Sequence, residues 1–175
     1  DGEKLGKIAK NLMRSDADYF ILAEARDGIA LDTAVRIAGK GARRMKMTFH
    51  TRDPLSFAWD AAVEIVRSLG GDVRDTALRV AGSFDYLFHF VNLRRNNAKK
   101  LRGIYEIGVA RGAVTSKENG IYVNEICQYS HATDAWKWTF RISPDKRAIG
   151  EEEDPEAFCA FESGLRTLSD RGAPS

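Results

Sequence analysis

The chain reads as an α/β protein in which strands and helices alternate from residue 1 to about 110, with a β-hairpin and a helix appended. Three observations predict this. Tyr19–Ala23 is an unbroken apolar or aromatic run, the signature of a strand buried in a parallel sheet. Amphipathic helical stripes precede and follow it. Beyond Gly112 the pattern changes: Trp136, Trp138, Phe140 and Ile142 alternate with Lys137, Thr139 and Arg141, which marks a half-buried strand. The expected division is therefore a sheet-bearing domain over residues 1–112 and an extension over residues 113–175.

Composition narrows the class. With 175 residues the chain is long enough for one full core. A hydrophobic content of 43% and a charged content of 30% fit a soluble globular protein. The net charge of +2 is too small to argue for a nucleic-acid or membrane partner. No apolar run reaches membrane-spanning length, and no signal peptide opens the chain. Cys127 and Cys159 lack CxxC spacing, so a reduced cytoplasmic setting without disulfide or zinc is expected. His50, His89 and His131 are scattered, so no histidine-based metal site is expected. The first residue is Asp1 rather than methionine, which suits a fragment or a processed piece.

The elements follow in order. Leu5, Ile8, Ala9, Leu12 and Met13 recur at helical spacing, predicting a helix over 3–14. Ser15–Asp18 is a polar turn, and a strand over Tyr19–Ala25 delivers Glu24 to its carboxyl end. Asp27-Gly28 opens a helix with a stripe of Ala30, Leu31, Ala34, Val35 and Ala38, ended by Gly39-Lys40-Gly41. Met45, Met47 and Phe49 alternate with Lys46 and Thr48 in a second strand closed by Thr48 and His50. Asp53-Pro54 starts a helix through a capping carboxylate and a proline at its first position, and Gly70-Gly71 stops it. Asp72 caps another helix to about Ala81. Phe84–Val91, apolar on both faces except at Asp85 and His89, predicts a central strand. A polar turn over residues 93–102 and a strand over Ile104–Val109 complete a hairpin. That hairpin accounts for Arg94, Arg95, Lys99, Lys100 and Arg102 without nucleic acid. Strands over Ile121–Tyr129 and Ala135–Ile142 follow, and the acidic run Glu151–Asp154 leads through Pro155 into a last helix.

Glu24 and His50 stand out together, because each follows an apolar strand that precedes a helix. In a parallel sheet both surface on one edge, where ligands bind. A carboxylate beside a Thr48/His50 pair suits nucleotide hydrolysis: the carboxylate orients a water, and the histidine meets a terminal phosphate. His50 equally fits a capping or packing role, and Arg26 fits an ion pair with Asp27 or Asp32. Lys40 is not part of a phosphate loop, since GxxxxGK[ST] occurs nowhere in the chain.

The stretch DADYFILAEARDGIALD, followed by TFHT, resembles the C-terminal half of the secretion-ATPase superfamily. These are the RecA-like hexameric motors of type II and type IV secretion, type IV pilus assembly and Tad pili. Their Walker B region runs from proline-aspartate through an apolar strand to G-E-x-R-D or G-E-x-R-G. Asp18, Glu24, Arg26 and Asp27 match it, with Ala17 and Ala23 replacing the proline and glycine, and Ala30-Leu31-Asp32 is similar to the E-A-L-D of the Tad branch. Thr48 and His50 fit the second half of the His box; Gly41 holds one glycine of its first half, but Ala42 and Arg44 depart from it. The arginine expected near Ala58 is missing, while Asp85 and Tyr105-Glu106-Ile107 are similar to the closing strands.

The resemblance covers residues 1–109 and implies a partial RecA-like P-loop NTPase sheet with flanking helices, working as an ATP- and Mg2+-dependent motor. It implies Glu24 as the catalytic carboxylate, His50 facing the terminal phosphate, and Arg26 and Thr48 at the nucleotide, with no dedicated metal ligand set. It further implies a phosphate loop N-terminal to this segment, a homo-hexamer, a cytoplasmic location against the inner membrane and a secretion or pilus platform protein as partner. Two alternatives are kept. One is a degenerate, non-catalytic RecA-like scaffold or regulatory module; the other is a RecA-like nucleic-acid motor, motivated by the basic clusters and opposed by the near-neutral charge.

Overall fold

The computed structural model describes residues 11, 19–39, 45–93, 98–110, 120–130, 132–139 and 142–172. Over these residues it is a mixed α/β structure with five helices from Gly28 onward, a two-stranded parallel sheet and a four-stranded antiparallel sheet. The chain packs as two units, one formed by Asp1–Asp85 with Ile107–Tyr122 and the other by Tyr86–Glu106 with Val123–Ser175. The expected helix over 3–14, Asp18, Lys40–Arg44, Arg94 and Arg95 lie outside the described residues, residue 11 apart.

In the first unit, β1 (Phe20–Leu22) pairs in parallel with β2 (Met45–Met47), Phe20 opposite Met45 and Leu22 opposite Met47. The ladder is shorter than the apolar run that predicted it. Beyond Leu22 the chains stay linked, because the Ala25 N–H donates to the Thr48 carbonyl at 3.0 Å. Helix α1 (Gly28–Gly39) begins where Asp27 caps it, its carboxylate accepting the Ala30 N–H at 2.8 Å. Its buried stripe includes Leu31, Ala34, Val35 and Ile37, and Ile37 packs on Phe20 and Met45 against the strands.

Asp53 nucleates the next element. Its Oδ1 accepts the Leu55 N–H at 3.0 Å, Pro54 takes the first position, and the single 3-10 turn Pro54–Ser56 leads into α2 (Phe57–Leu69). Gly70 and Gly71, at φ 76° and 109°, then turn the chain where a side chain would be strained. Asp72 caps α3 (Val73–Ala81) by accepting the Asp75 N–H. Helix α2 packs against both α1 and α3 through Ala58, Ala61, Ala62 and Ile65, with Ala77 and Val80 buried on α3. The small residues let the helices approach closely: a Cβ on Gly28 would overlap the backbone carbonyl of Glu64. Buried Asp32 on α1 takes Arg36 at 2.6 Å and a charge contact from Arg79 of α3 at 2.7 Å, so it is not the partner of Arg26.

The four-stranded sheet has the strand order β3 (Tyr86–Leu93), β4 (Ala98–Val109), β5 (Ile121–Ser130) and β6 (Ala135–Trp138). Three sequence-based expectations need correction. The alternation up to residue 110 does not continue as one parallel sheet, since β3 and β4 pair antiparallel in a sheet separate from β1 and β2. The 84–91 run is not a central strand; β3 is an outer strand, with Phe88 and Phe90 exposed at 59% and 58%. Apolarity on both faces marked an exposed aromatic row rather than double-sided burial. Finally, two helices rather than one end the chain. Ser143 caps α4 (Pro144–Glu153) and Pro144 takes its first position, so the acidic run closes α4. Asp154 and Pro155 then start α5 (Pro155–Gly172). Helix α5 packs on β6 and α4, and Arg147 of α4 pairs with Glu162 of α5.

Candidate functional site

The carboxyl ends of β1 and β2 lie side by side because the two strands are parallel and in register. Glu24 follows β1 by two residues and His50 follows β2 by three. Two links between strand ends fix their spacing. The Thr48 hydroxyl donates to the Ala23 carbonyl, and the Ala25 N–H donates to the Thr48 carbonyl at 3.0 Å. Thr48 therefore straps the backbone on both sides of Glu24. Its hydroxyl is engaged in that strap.

On this frame the four expected site residues converge. His50 Nε2 lies 3.0 Å from Glu24 Oε1, and Arg26 Nε donates to Glu24 Oε2 at 2.6 Å. The Glu24 side chain is 28% exposed, while those of Arg26 and His50 are 80% and 86% exposed. The carboxylate is thus half-sheltered and the two cation-forming groups face outward. Arg26's hydrogen bond is the main influence holding the Glu24 carboxyl below its ordinary range, aided by Arg26's charge and by His50. Desolvation pushes the other way and is outweighed. Glu24 is consequently a carboxylate at neutral pH. It is suited to orienting a water or accepting a proton once a partner withdraws.

The neighbouring Asp27 is occupied as the cap of α1, so it contributes helix placement rather than chemistry. Among the described residues no group of three or more His, Cys, Asp or Glu side chains is arranged to hold a metal ion. Cys127 is buried, its thiol made less acidic chiefly by that burial, and Cys159 is exposed.

One part of the site escaped the sequence reading. Asp60, in the first turn of α2, accepts hydrogen bonds from the hydroxyls of Thr51 at 2.8 Å and Ser56 at 2.9 Å. The only signal was its place in the first turn of a helix, where an acidic side chain can reach back to the preceding loop. No helix among the described residues is long and apolar enough to cross a membrane. Comparison with protein-family models and with curated protein sequences returned no match.

Proposed function

We propose that this chain is the C-terminal part of a RecA-like, hexameric ATPase that drives protein secretion or pilus assembly from the cytoplasmic face of the inner membrane. The carrying observation is the Glu24–His50 contact at the adjoining ends of two parallel strands. It joins the two residues that the resemblance to secretion ATPases assigns to hydrolysis. In this reading ATP with Mg2+ supplies a terminal phosphoryl group activated toward attack by water.

The residues fit an anionic ligand in one respect and leave another to a different segment. Arg26 and His50 are exposed, and the Arg26 guanidinium carries the positive charge that suits a terminal phosphate. No GxxxxGK[ST] loop occurs in the sequence, so in this reading the cradle for the inner phosphates would have to be supplied from outside residues 1–175. Glu24 orients the attacking water. When Arg26 turns from Glu24 toward phosphate, the carboxylate loses its strongest acidifying partner and gains basicity. His50, 3.0 Å from Glu24 Oε1, would link that carboxylate to a bound phosphate and so register its presence.

The test is steady-state ATP turnover and equilibrium nucleotide binding by the full gene product. Glu24→Gln is expected to lower kcat by about 100-fold or more while leaving affinity within about two-fold. Residues 1–175 alone are expected to bind ATP weakly and turn none over. A non-catalytic scaffold is favoured by one feature, that both oxygens of Glu24 are already engaged. Turnover by the parent protein rules that reading out, and the absence of both turnover and nucleotide binding rules out the ATPase.

A further inference from the structure

We propose that Asp60 is a positioning residue for His50, acting across the loop that joins β2 to α2. Two anchors flank His50 in sequence, and both are held by α2. On one side, the ring of Phe49 meets that of Phe57 edge-on at 5.7 Å between centroids. On the other, the Thr51 hydroxyl lies 2.8 Å from Asp60 Oδ2, and the same oxygen takes the Ser56 hydroxyl at 2.9 Å. The Asp53 N–H reaches Thr51 Oγ1 at 3.3 Å, and the Ser56 hydroxyl also lies 3.0 Å from the Asp53 carbonyl. One carboxylate thereby closes a polar knot over residues 51–56.

The His50 side chain is 86% exposed, so packing does little to orient it. Its direction is set by its backbone, and that backbone is held by its two neighbours. Loss of the Asp60 link leaves Thr51 held only within its own loop, its hydroxyl 3.0 Å from the Asp53 carbonyl and 3.3 Å from the Asp53 N–H, and no longer tied to α2, which lets the imidazole leave Glu24. Phe49 remains held by Phe57. The consequence for hydrolysis rests on the proposed function; the positioning itself does not.

The experiment is a mutant cycle read by NMR on the 175-residue chain. The His50 ring Hε1–Cε1 resonance, assigned through His50→Gln, is recorded with and without Glu24→Gln. In the parent, removing the Glu24 charge shifts this resonance. In Asp60→Ala the same Glu24→Gln change is expected to produce less than about half that shift, because the ring no longer dwells at the carboxylate. Asp60→Asn, which keeps an acceptor oxygen, restores a shift of parental size. Thr51→Val removes the other end of the link at nearly constant shape and reproduces the loss, which covers the case in which Asp60→Ala does not fold. A full-sized shift in Asp60→Ala or Thr51→Val overturns the proposal, as does failure of Asp60→Asn to restore it. If the gene product hydrolyses no ATP, this cycle still decides the role of Asp60. If the cycle fails while Glu24→Gln abolishes turnover, only the positioning role falls.

Discussion

Two glutamates in similar apolar sequence, Glu24 in YFILAEAR and Glu106 in GIYEIGV, end in opposite surroundings. Glu24 keeps 28% of its side chain exposed and has a cation-forming partner on each oxygen. Glu106 on β4 is fully buried; its Oε2 accepts the Ser143 N–H at 2.9 Å, and its Oε1 has no hydrogen-bond partner among the described residues. Glu106 satisfies a backbone donor at the start of α4 and complements the positive end of that helix. Among the described residues the Glu24 carboxylate is engaged by side chains, those of Arg26 and His50, rather than by a backbone donor at a helix end. A carboxylate with exchangeable, exposed partners can change them at low cost, which a reactive group needs. A buried carboxylate that holds down a helix end cannot. The contrast supports the proposal of chemistry at Glu24 and gives Glu106 an architectural part.

The sharpest way to break the comparison is to remove Glu106. Glu106→Ala removes the carboxylate that accepts the Ser143 N–H and opens a cavity, and is expected to cost about 2–4 kcal/mol of stability in urea unfolding. Glu106→Gln keeps an acceptor while discharging a buried site, and is expected to stay within about 1 kcal/mol of the parent. A large loss in Glu106→Gln would give the charge itself a role. Next in size is Gly28→Ala. The added methyl meets the Glu64 backbone, and the expected cost is about 1–3 kcal/mol as α1 shifts away from α2. That shift acts on the packing that carries Glu24 and should leave Glu106 undisturbed.

The smallest effects are those of pH. Glu24 is more acidic folded than unfolded, so in the acid window the unfolded chain binds more protons. Its contribution is complete above the ordinary carboxyl value and fades as pH falls through the lowered one. Glu24→Gln should therefore flatten a small part of the acid limb of a stability profile. Tyr86 behaves in reverse: burial first, and then the Glu106 charge, raise its phenol. Between the ordinary phenol value and the raised one, the folded chain holds the extra proton and stability falls as pH rises. Tyr86→Phe should remove that alkaline slope while leaving the acid limb as it was.

How much of this was legible in the sequence follows from which forces are local. Capping by Asp27, Asp53 and Asp72 and the Gly70-Gly71 stop are short-range, and the helices of the first unit begin and end where those residues indicate. Glu24 and His50 were identifiable as strand-end residues because apolar runs lead to both. Their contact depended only on the two strands being parallel neighbours. The edge position of β3 was not legible, because exposed Phe88 and Phe90 look like core residues until the pairing order is known. Asp60 was hidden because its partners lie nine and four residues away across a turn, and no apolar pattern marks them. The start of α4 was missed although Ser143-Pro144 carried the same signal as Asp53-Pro54.

The central claim, that Glu24 is the reactive member of the pair, is tested most directly by single-turnover hydrolysis of prebound ATP in the full gene product. The account predicts that Glu24→Gln retains ATP but cleaves it at least about 100-fold more slowly, with cleavage in Glu106→Gln near the parental rate. Cleavage by Glu24→Gln at the parental rate would contradict it.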